Sequence, residues 1–482
     1  MTLAPASRPD PRALGFIAFS AFASVLCAAG QARASGFDTA LFGNDDGNPA
    51  LGNVYSVYFN PAAMGAVRGT TMTGAATVAL HSETYDRPAS ALTPSNPSNS
   101  QLTGNPLYIQ SNTGHASLFN VLAAPFLGVV TDLGTPNLRL GLAAYAPFGG
   151  SIDWDKNPAF GAGSPVPGGY DGPQRWASLA TVSTTLAETL ALAYRFESLH
   201  LSVGAAFSVL RTSIQETHAR NPDGSDDVLS GGNIEEGRAY LDVWGIQEEA
   251  SFGVWWQPTP DLRFGASYVS QPGFGTMRLK GTFQEQLGGV TSVTPPVPAD
   301  LLQAYPDIVR LGAAWRATPS LDLRLDGTYE RWSQFQNQCI VESGAQCNVS
   351  STGKDLSPNG VVLANAPRNG QDTVKVRAGA SYRVARGTEV HASAAVETSS
   401  IPSGYEDALI FDSTRIYGTL GVHQHVVGGL SFGIAYTYVQ FLSTTVTDSQ
   451  LPNFVAPSRW PSSDGSYGAS LHVFDVEVSY RF

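Results

Sequence analysis

The chain of 482 residues carries a formal charge of −12 and no basic cluster, which argues against nucleic acid as a partner. Only 14% of its residues are charged, against a typical ~25%, and its mean hydropathy is −0.06. Beyond the N-terminal leader no run of about 18 apolar residues occurs, so no transmembrane helix is expected. The length would normally suggest two or three domains, but a large barrel uses the whole chain in one closed sheet.

Arg8 and Arg12 precede an apolar stretch, Leu14 to Ala29, followed by Ala32-Arg33-Ala34, a small-x-small cleavage site. Residues 1–34 therefore read as a secretory signal peptide. Cys27 raises lipid attachment as an alternative, but Leu26 stands where a lipid-attachment box needs a small residue. Residues 35–66 do not alternate. They carry Gly36, Gly43, Gly47, Gly52 and Gly65, and read as a periplasmic tail or a plug in a lumen.

From residue 67 to 482, strand patterns and turn signals alternate. The candidate strands are 67–80, 115–129, 138–147, 176–196, 200–215, 243–257, 262–270, 308–317, 321–332, 373–384, 388–398, 414–422, 429–442 and 468–482. Connections at 197–199, 258–261, 318–320, 385–387 and 423–428 are tiny. Those at 81–114, 148–175, 216–242, 271–307, 333–372, 399–413 and 443–467 are long. Short turns on one side and long loops on the other are the pattern of a bacterial outer-membrane β-barrel. The fold class is thus all-β, a transmembrane antiparallel barrel of about fourteen strands, with long loops outside the cell.

Alternation sets the faces. Leu321, Leu323, Leu325 and Gly327 alternate with Asp322, Arg324 and Asp326, and Val374 and Val376 with Lys375 and Arg377. Charge at the lipid midplane costs about 2–4 kcal/mol for Arg or Lys, so the charged set must face the lumen. Trp255, Trp256, Trp315, Trp332, Tyr329, Tyr438 and Tyr480 lie near strand ends, where aromatic girdles sit. The chain closes on Phe474-Asp475-Val476-Glu477-Val478-Ser479-Tyr480-Arg481-Phe482, oily and polar by turns. Phe482 is the C-terminal aromatic expected to engage the barrel-assembly machinery.

Within the long loops, Cys339 and Cys347 read as a short-loop disulfide in an exported chain. Phe274, Met277, Leu279, Phe283, Leu287, Leu301, Leu302 and Tyr305 are apolar candidates for ligand contact, or for packing that loop on itself. Leu301, Leu302 and Tyr305 have helical spacing. Pro147 and the Gly pair after it would interrupt a strand ladder, although Pro147 itself reads more simply as a strand end.

Val57-Tyr58-Phe59-Asn60-Pro61-Ala62-Ala63-Met64 resembles the aromatic-Asn-Pro-Ala-x-Met motif of the FadL-type outer-membrane transporters of long-chain fatty acids and aromatic hydrocarbons. Ser35-Gly36-Phe37 is similar to that family's mature start. Tyr145-Ala146-Pro147-Phe148-Gly149 resembles its third strand and following loop, Tyr305-Pro306-Asp307 with 309–315 its eighth strand, Leu325-Asp326 with Tyr329 to Trp332 its ninth, and Ile401-Pro402 with Arg415-Ile416-Tyr417 a late loop and strand. The resemblance implies a 14-stranded barrel closed by an N-terminal hatch. It implies passive uptake of fatty acid-like hydrophobic molecules by a monomer among outer-membrane lipids, without a cofactor. Ligand would leave through a lateral opening beside a kink in the third strand. By position, Phe37 matches the hatch Phe that fills the pocket, and Asn60, Pro61 and Ala62 match the hatch motif near the opening. The segment between Phe37 and Asn60 is shorter than usual, and the family's Gly-Leu-Gly-x-Ala-like stretch has no clear counterpart.

Other chemistry is weaker. His423-Gln424-His425 has no Gly-x-Ser-x-Gly beside it, so a lipolytic barrel is disfavoured. Asp223-Gly224-Ser225-Asp226-Asp227 lacks the Gly and Glu offsets of a calcium loop and reads as turn chemistry. A polar-solute porin would share the barrel but not the hatch, and a purely adhesive barrel is a further alternative.

Overall fold

The computed structural model describes residues 42–43, 47–161, 163–221, 223–230, 233–287, 294–426, 428–451 and 455–482. The expected signal peptide and Phe37 lie outside them. Among the described residues no helix is long and apolar enough to cross a membrane. Fourteen strands close into one antiparallel barrel. They are β1 (Thr70–Arg87), β2 (Gly114–Thr131), β3 (Leu138–Asp153), β4 (Ala180–Phe196), β5 (Leu201–Arg220), β6 (Gly237–Thr259), β7 (Leu262–Val269), β8 (Ile308–Thr318), β9 (Leu321–Glu330), β10 (Thr373–Ala385), β11 (Thr388–Glu397), β12 (Arg415–His425), β13 (Leu430–Phe441) and β14 (Gly465–Arg481). Each pairs with its neighbour in the chain, and β14 returns to β1 in a register that sets Phe474 against Val78 and Tyr480 against Met72.

The alternation is realised on the two faces. Leu323, Leu325, Val374, Val376, Phe474 and Val476 are exposed, whereas Asp326 and Asp475 are buried. Inward charges neutralise one another across strands: Arg263 with Asp322 at 2.7 Å, Arg377 with Asp326 at 2.9 Å, and Arg324 with Glu389 at 3.5 Å. A buried ion without such a partner would cost several kcal/mol. The aromatic set divides. Trp256, Trp315, Tyr329 and Tyr438 are exposed. Trp255 and Trp332 are instead buried, each with its indole N–H donated inward, to the Ala50 carbonyl at 2.8 Å and to Glu330 at 2.8 Å. Tyr480 is also buried, against the Phe482 ring.

Four strands run well past the sequence expectation on the long-loop side. β1 runs to Arg87 rather than Leu80, β3 to Asp153 rather than Pro147, β5 to Arg220 rather than Gln215, and β6 begins at Gly237 rather than Val243. A membrane crossing needs only about 9–11 residues, so these strands continue past the hydrocarbon, where polar side chains hide the pattern. The upper part of β6 pairs with Met277–Gln286, which pairs with Val297–Gln303, then with Asn337–Glu342 and Val362–Pro367. Leu301 and Leu302 therefore lie in a strand, not the helix their spacing suggested. Main-chain pairing on both sides decides the conformation, and Tyr305 lies just past the strand end. Cys339 and Cys347 are disulfide-bonded in this loop sheet.

The described residues of the N-terminal segment pack against the inner face of the wall, where a hatch would sit. Its short helix α1 (Ser56–Phe59) is followed by a 3-10 turn, Pro61–Ala66. Glycines in the wall let its backbone approach. A Cβ on Gly265 would lie 1.9 Å from the Pro49 carbonyl oxygen, and one on Gly253 2.0 Å from Asn60 Oδ1. Gly265→Val should therefore displace the hatch while leaving the barrel folded. The expected readout is raised ion conductance in planar bilayers, with a barrel still heat-modifiable on SDS gels. Unchanged conductance would show that the hatch is not the seal.

Candidate functional site

The hatch motif is built around Asn60. Its side chain accepts from the Ala62 N–H at 3.1 Å, capping the turn that Pro61 starts. Its amide donates to the Pro49 carbonyl at 2.8 Å and the Val254 carbonyl at 3.1 Å. Asn60, Pro61 and Ala62 are all buried. Ser267 adds a hydroxyl bond to the Phe59 carbonyl at 2.6 Å, and the Tyr55 hydroxyl reaches Glu477 at 2.6 Å. The Asn-Pro-Ala turn is thus moored by hydrogen bonds to β6 and β7. The aromatic residues before it face β2 and β3. There Phe42 lies 5.1 Å from Phe126, 5.3 Å from Tyr145 and 5.4 Å from Tyr58, centroid to centroid.

That aromatic group stands where the wall changes. The β2–β3 ladder runs from Thr131 with Leu140 to Phe126 with Tyr145 and goes no further. Both strands continue, because β2 stays paired with β1 to Gly114 and β3 with β4 to Asp153. The ladder stops at a bulge. Tyr145 pairs with Ala187 and Phe148 with Thr185, so Ala146 and Pro147 oppose one residue of β4. Pro147 has no N–H to offer a ladder. It is therefore a mid-strand interruption, not the strand end that its sequence context favoured. Higher up the strands are bracketed again. Asn120 accepts from the Asp153 N–H at 3.1 Å, and the Asp155 N–H donates to the Ser117 carbonyl at 2.9 Å.

Above the hatch and behind this interruption lies a cavity of about 1180 Å³, counting its open part. One wall is apolar, with Ile214, Trp332, Ile410, Phe411, Phe441 and Leu471. Gly149 and Gly150 of β3 line it beside the interruption. The connection between β11 and β12 dips in to form its roof. It is held by the Trp154 indole to the Ala408 carbonyl at 3.1 Å and by Arg368 to Asp407 at 2.7 Å. The polar side carries His81, Glu83, Glu216, Asp412 and Arg415. Arg415 is shared by Asp412 at 2.7 Å and Glu397 at 2.6 Å, and Glu397 also meets Lys375 at 3.4 Å. Below Tyr417, which borders both spaces, a second cavity of about 730 Å³, counting its open part, lies beside the hatch, lined by Arg310, Asp326, Lys375 and Arg377.

A model of the family described as outer membrane protein transport protein (OMPP1/FadL/TodX) matches residues 15–482. The chain belongs to this family. Among solved structures it is similar to a FadL homologue of Pseudomonas aeruginosa, 18% identical with a TM-score of 0.71 over 93% of this chain and 100% of that one. It is similar to the toluene transporter TbuX of Ralstonia pickettii, 16% identical with a TM-score of 0.55 over 90% and 98%. It is also similar to the toluene transporter TodX of Pseudomonas putida, 15% identical with a TM-score of 0.57 over 93% and 98%. At these identities the likeness is one of fold. Comparison with curated proteins finds no match. This OMPP1/FadL/TodX-family member is an outer-membrane β-barrel, and its exposed Leu311, Leu420 and Ile434 face the lipid.

The residues singled out in the sequence are dispersed in this family member. Met277 and Tyr305 pack with Phe148, next to Pro147, and with Trp332 and Ile410 at the cavity edge; the Phe148 and Tyr305 rings are 4.7 Å apart. Phe283 and Leu301 instead fill the loop sheet with Leu241, Val243 and Ile340, and Leu302 packs with Cys339. Phe274 is exposed. The Asp223–Asp227 run ties loops together, since buried Asp226 binds Arg87 at 2.7 Å and the Thr93 N–H at 3.0 Å. No group of His, Cys, Asp or Glu among the described residues is arranged to hold a metal ion. Phe42, His81, Glu83, Ile410 and Phe411 were not anticipated. The one available signal was the inward polar alternation Thr77, His81, Glu83, Arg87, which extends β1 past Leu80.

The cavity roof has a pH-sensitive element. Burial, then the neighbouring Asp412 and Asp407, pushes the Glu406 carboxyl up to about 8. An acid with a raised folded pKa stabilises the fold below its unfolded pKa and loses that contribution as pH climbs through the folded value. The 398–414 connection should therefore become more protease-sensitive between about pH 5 and about pH 9. Glu406→Gln should flatten that dependence in limited proteolysis. A wild-type cleavage rate that stays constant across the range would rule it out.

Proposed function

We propose that this protein takes up hydrophobic small molecules across the outer membrane passively, through a hatch-closed barrel with a lateral exit between β2 and β3. The observation that carries this reading is the conjunction of the interrupted β2–β3 ladder with an apolar-walled cavity directly behind it and a hatch beneath it. An apolar solute gains about 25 cal/mol per Å² from contact with such a wall, which a water-filled pore does not supply. Exposed Phe274 is assigned to first capture, Met277 and Tyr305 to the passage towards the cavity, and the bulge at Pro147 to the exit. Residues 35–66, with Phe37 and Asn60-Pro61-Ala62, act as the hatch of the mature chain, and 67–482 as the barrel, assembled as a monomer through its terminal Phe482.

Extraction of the purified protein with organic solvent, followed by mass spectrometry, should yield single-chain or aromatic apolar molecules in near-stoichiometric amount. An empty protein that passes sugars in liposome swelling would favour a polar-solute porin instead.

Deletion of Pro147 removes the extra residue of the bulge and lets the β3 ladder run straight. It should lower uptake of a labelled hydrophobic probe by about tenfold or more, by analogy with the loss seen when binding groups are misplaced, with the barrel still heat-modifiable. Wild-type uptake by this variant would refute the lateral exit.

A further inference from the structure

We infer that the preferred cargo is an uncharged amphiphile, an apolar body bearing a hydroxyl group, rather than an anionic carboxylate. This inference rests on the conduit reading of the same cavity and names its ligand class. An anionic head group needs a cation that is free to pair. Among the described lining residues the guanidinium is Arg415; its two terminal nitrogens are taken by Asp412 and Glu397, which balance its charge, its Cζ lies 5.4 Å from the Phe441 ring centre, and its Nε–H, buried without a partner, can donate to a neutral hydroxyl oxygen. The remaining carboxyl groups on the lining are Glu83, Glu216 and Asp412, beside the imidazole of His81 and neutral polar side chains such as Gln338. A carboxylate entering here would be desolvated without a cation whose charge is still unbalanced, and an unpaired buried charge is strongly unfavourable.

The same wall offers two groups that suit a hydroxyl. Glu83 and His81 project from one face of β1 into the cavity, and both are more than nine-tenths buried. His81 Nε2 lies 3.6 Å from one Glu83 oxygen. The other oxygen, Oε1, and His81 Nδ1 are buried with no hydrogen-bond partner. A hydroxyl both donates and accepts. It can donate to Glu83 Oε1 and accept from, or donate to, His81 Nδ1 according to the ring tautomer. Meanwhile its apolar body lies against Phe411, Phe441 and Leu471 on the adjoining wall. An alkane or unsubstituted ring would fill the apolar wall but leave both polar atoms unpaired, which costs free energy.

The test is isothermal titration of the full-length protein in amphipol with three ten-carbon probes, 1-decanol, decanoate and decane, near neutral pH. Decanol should bind about tenfold more tightly than decanoate, and more tightly than decane by a margin that Glu83→Leu abolishes. The decane affinity of that variant should hold or rise, since Leu removes a polar atom that decane leaves unpaired, and this separates a lost hydrogen bond from a deformed cavity. His81→Leu serves as the second variant if Glu83→Leu loses heat-modifiability, and it should narrow the decanol–decane margin in the same way. Decanoate binding as tightly as decanol would overturn the inference while leaving the conduit intact. An unaltered decanol–decane margin in a folded Glu83→Leu protein would also overturn it. Binding of none of the three probes would refute the conduit reading itself, and this inference with it.

Discussion

In hydrocarbon a backbone N–H or C=O without a partner costs several kcal/mol, so a membrane sheet must close on itself. Nearly every feature of this protein follows from that demand and from the one place where it is relaxed. The β2–β3 ladder stops after the Phe126–Tyr145 rung, although both strands continue. The relaxation is tolerable because protein stands behind it. Below lies the aromatic group of Phe42, Tyr55, Tyr58 and Phe126, and above lie the bonds from Asn120 and Ser117 to the Asp153–Asp155 backbone. Pro147 sits where its missing N–H does least harm, at the bulge that already disrupts pairing.

The hatch obeys the complementary demand, that a buried polar segment find partners. Asn60 does most of this, because its amide and carbonyl together satisfy the hatch turn, the Pro49 carbonyl and the Val254 carbonyl of the wall. The wall in turn gives up side chains at Gly204 and Gly265 so that the hatch backbone can come within contact, and at Gly253 so that the Asn60 side chain can. The shortened segment before Asn60 is thus compatible with a well-seated plug. Mooring on β5, β6 and β7 leaves the β2–β3 side to aromatic packing, which is less directional than hydrogen bonding and can rearrange at lower cost.

What the sequence disclosed divides along the same physical lines. Where a strand lies between lipid and lumen, alternation is forced on it, so Leu321 to Gly327 and Val374 to Arg377 were legible, and with them the strand count and the short turns. Above the hydrocarbon that pressure lapses. β1 was cut short at Leu80 because Ser82 and Thr84 on the outer face are as polar as His81 and Glu83 on the inner one. Leu301 and Leu302 suggested a helix because a short apolar run carries no unique period; their strand comes from partners at Met277–Gln286 and Asn337–Glu342. Trp255 and Trp332 resembled girdle residues by position, but side-chain direction, not distance from a turn, decides that role. The cavity could not be read at all as a unit, since it joins His81, Ile410 and Leu471 from opposite ends of the chain.

The two lumenal spaces explain why sideways movement is the reasonable course for an apolar molecule under the proposed function. Directly below the upper cavity the lumen is crossed by Asp412, Arg415, Glu397 and Lys375 in sequence, each charge neutralised by the next. An apolar molecule descending through them would separate these pairs without replacing their interactions, and breaking a buried pair costs about 3–5 kcal/mol. It would then enter the second space, lined by Arg310, Asp326 and Arg377, where it gains no apolar contact comparable to the one it left. Moving past Gly149 and Gly150 instead meets no side chain at either residue and leads to strands already unpaired. The ion lattice and the interrupted ladder thus act on the same choice from opposite sides, one raising the barrier downward and the other lowering it outward.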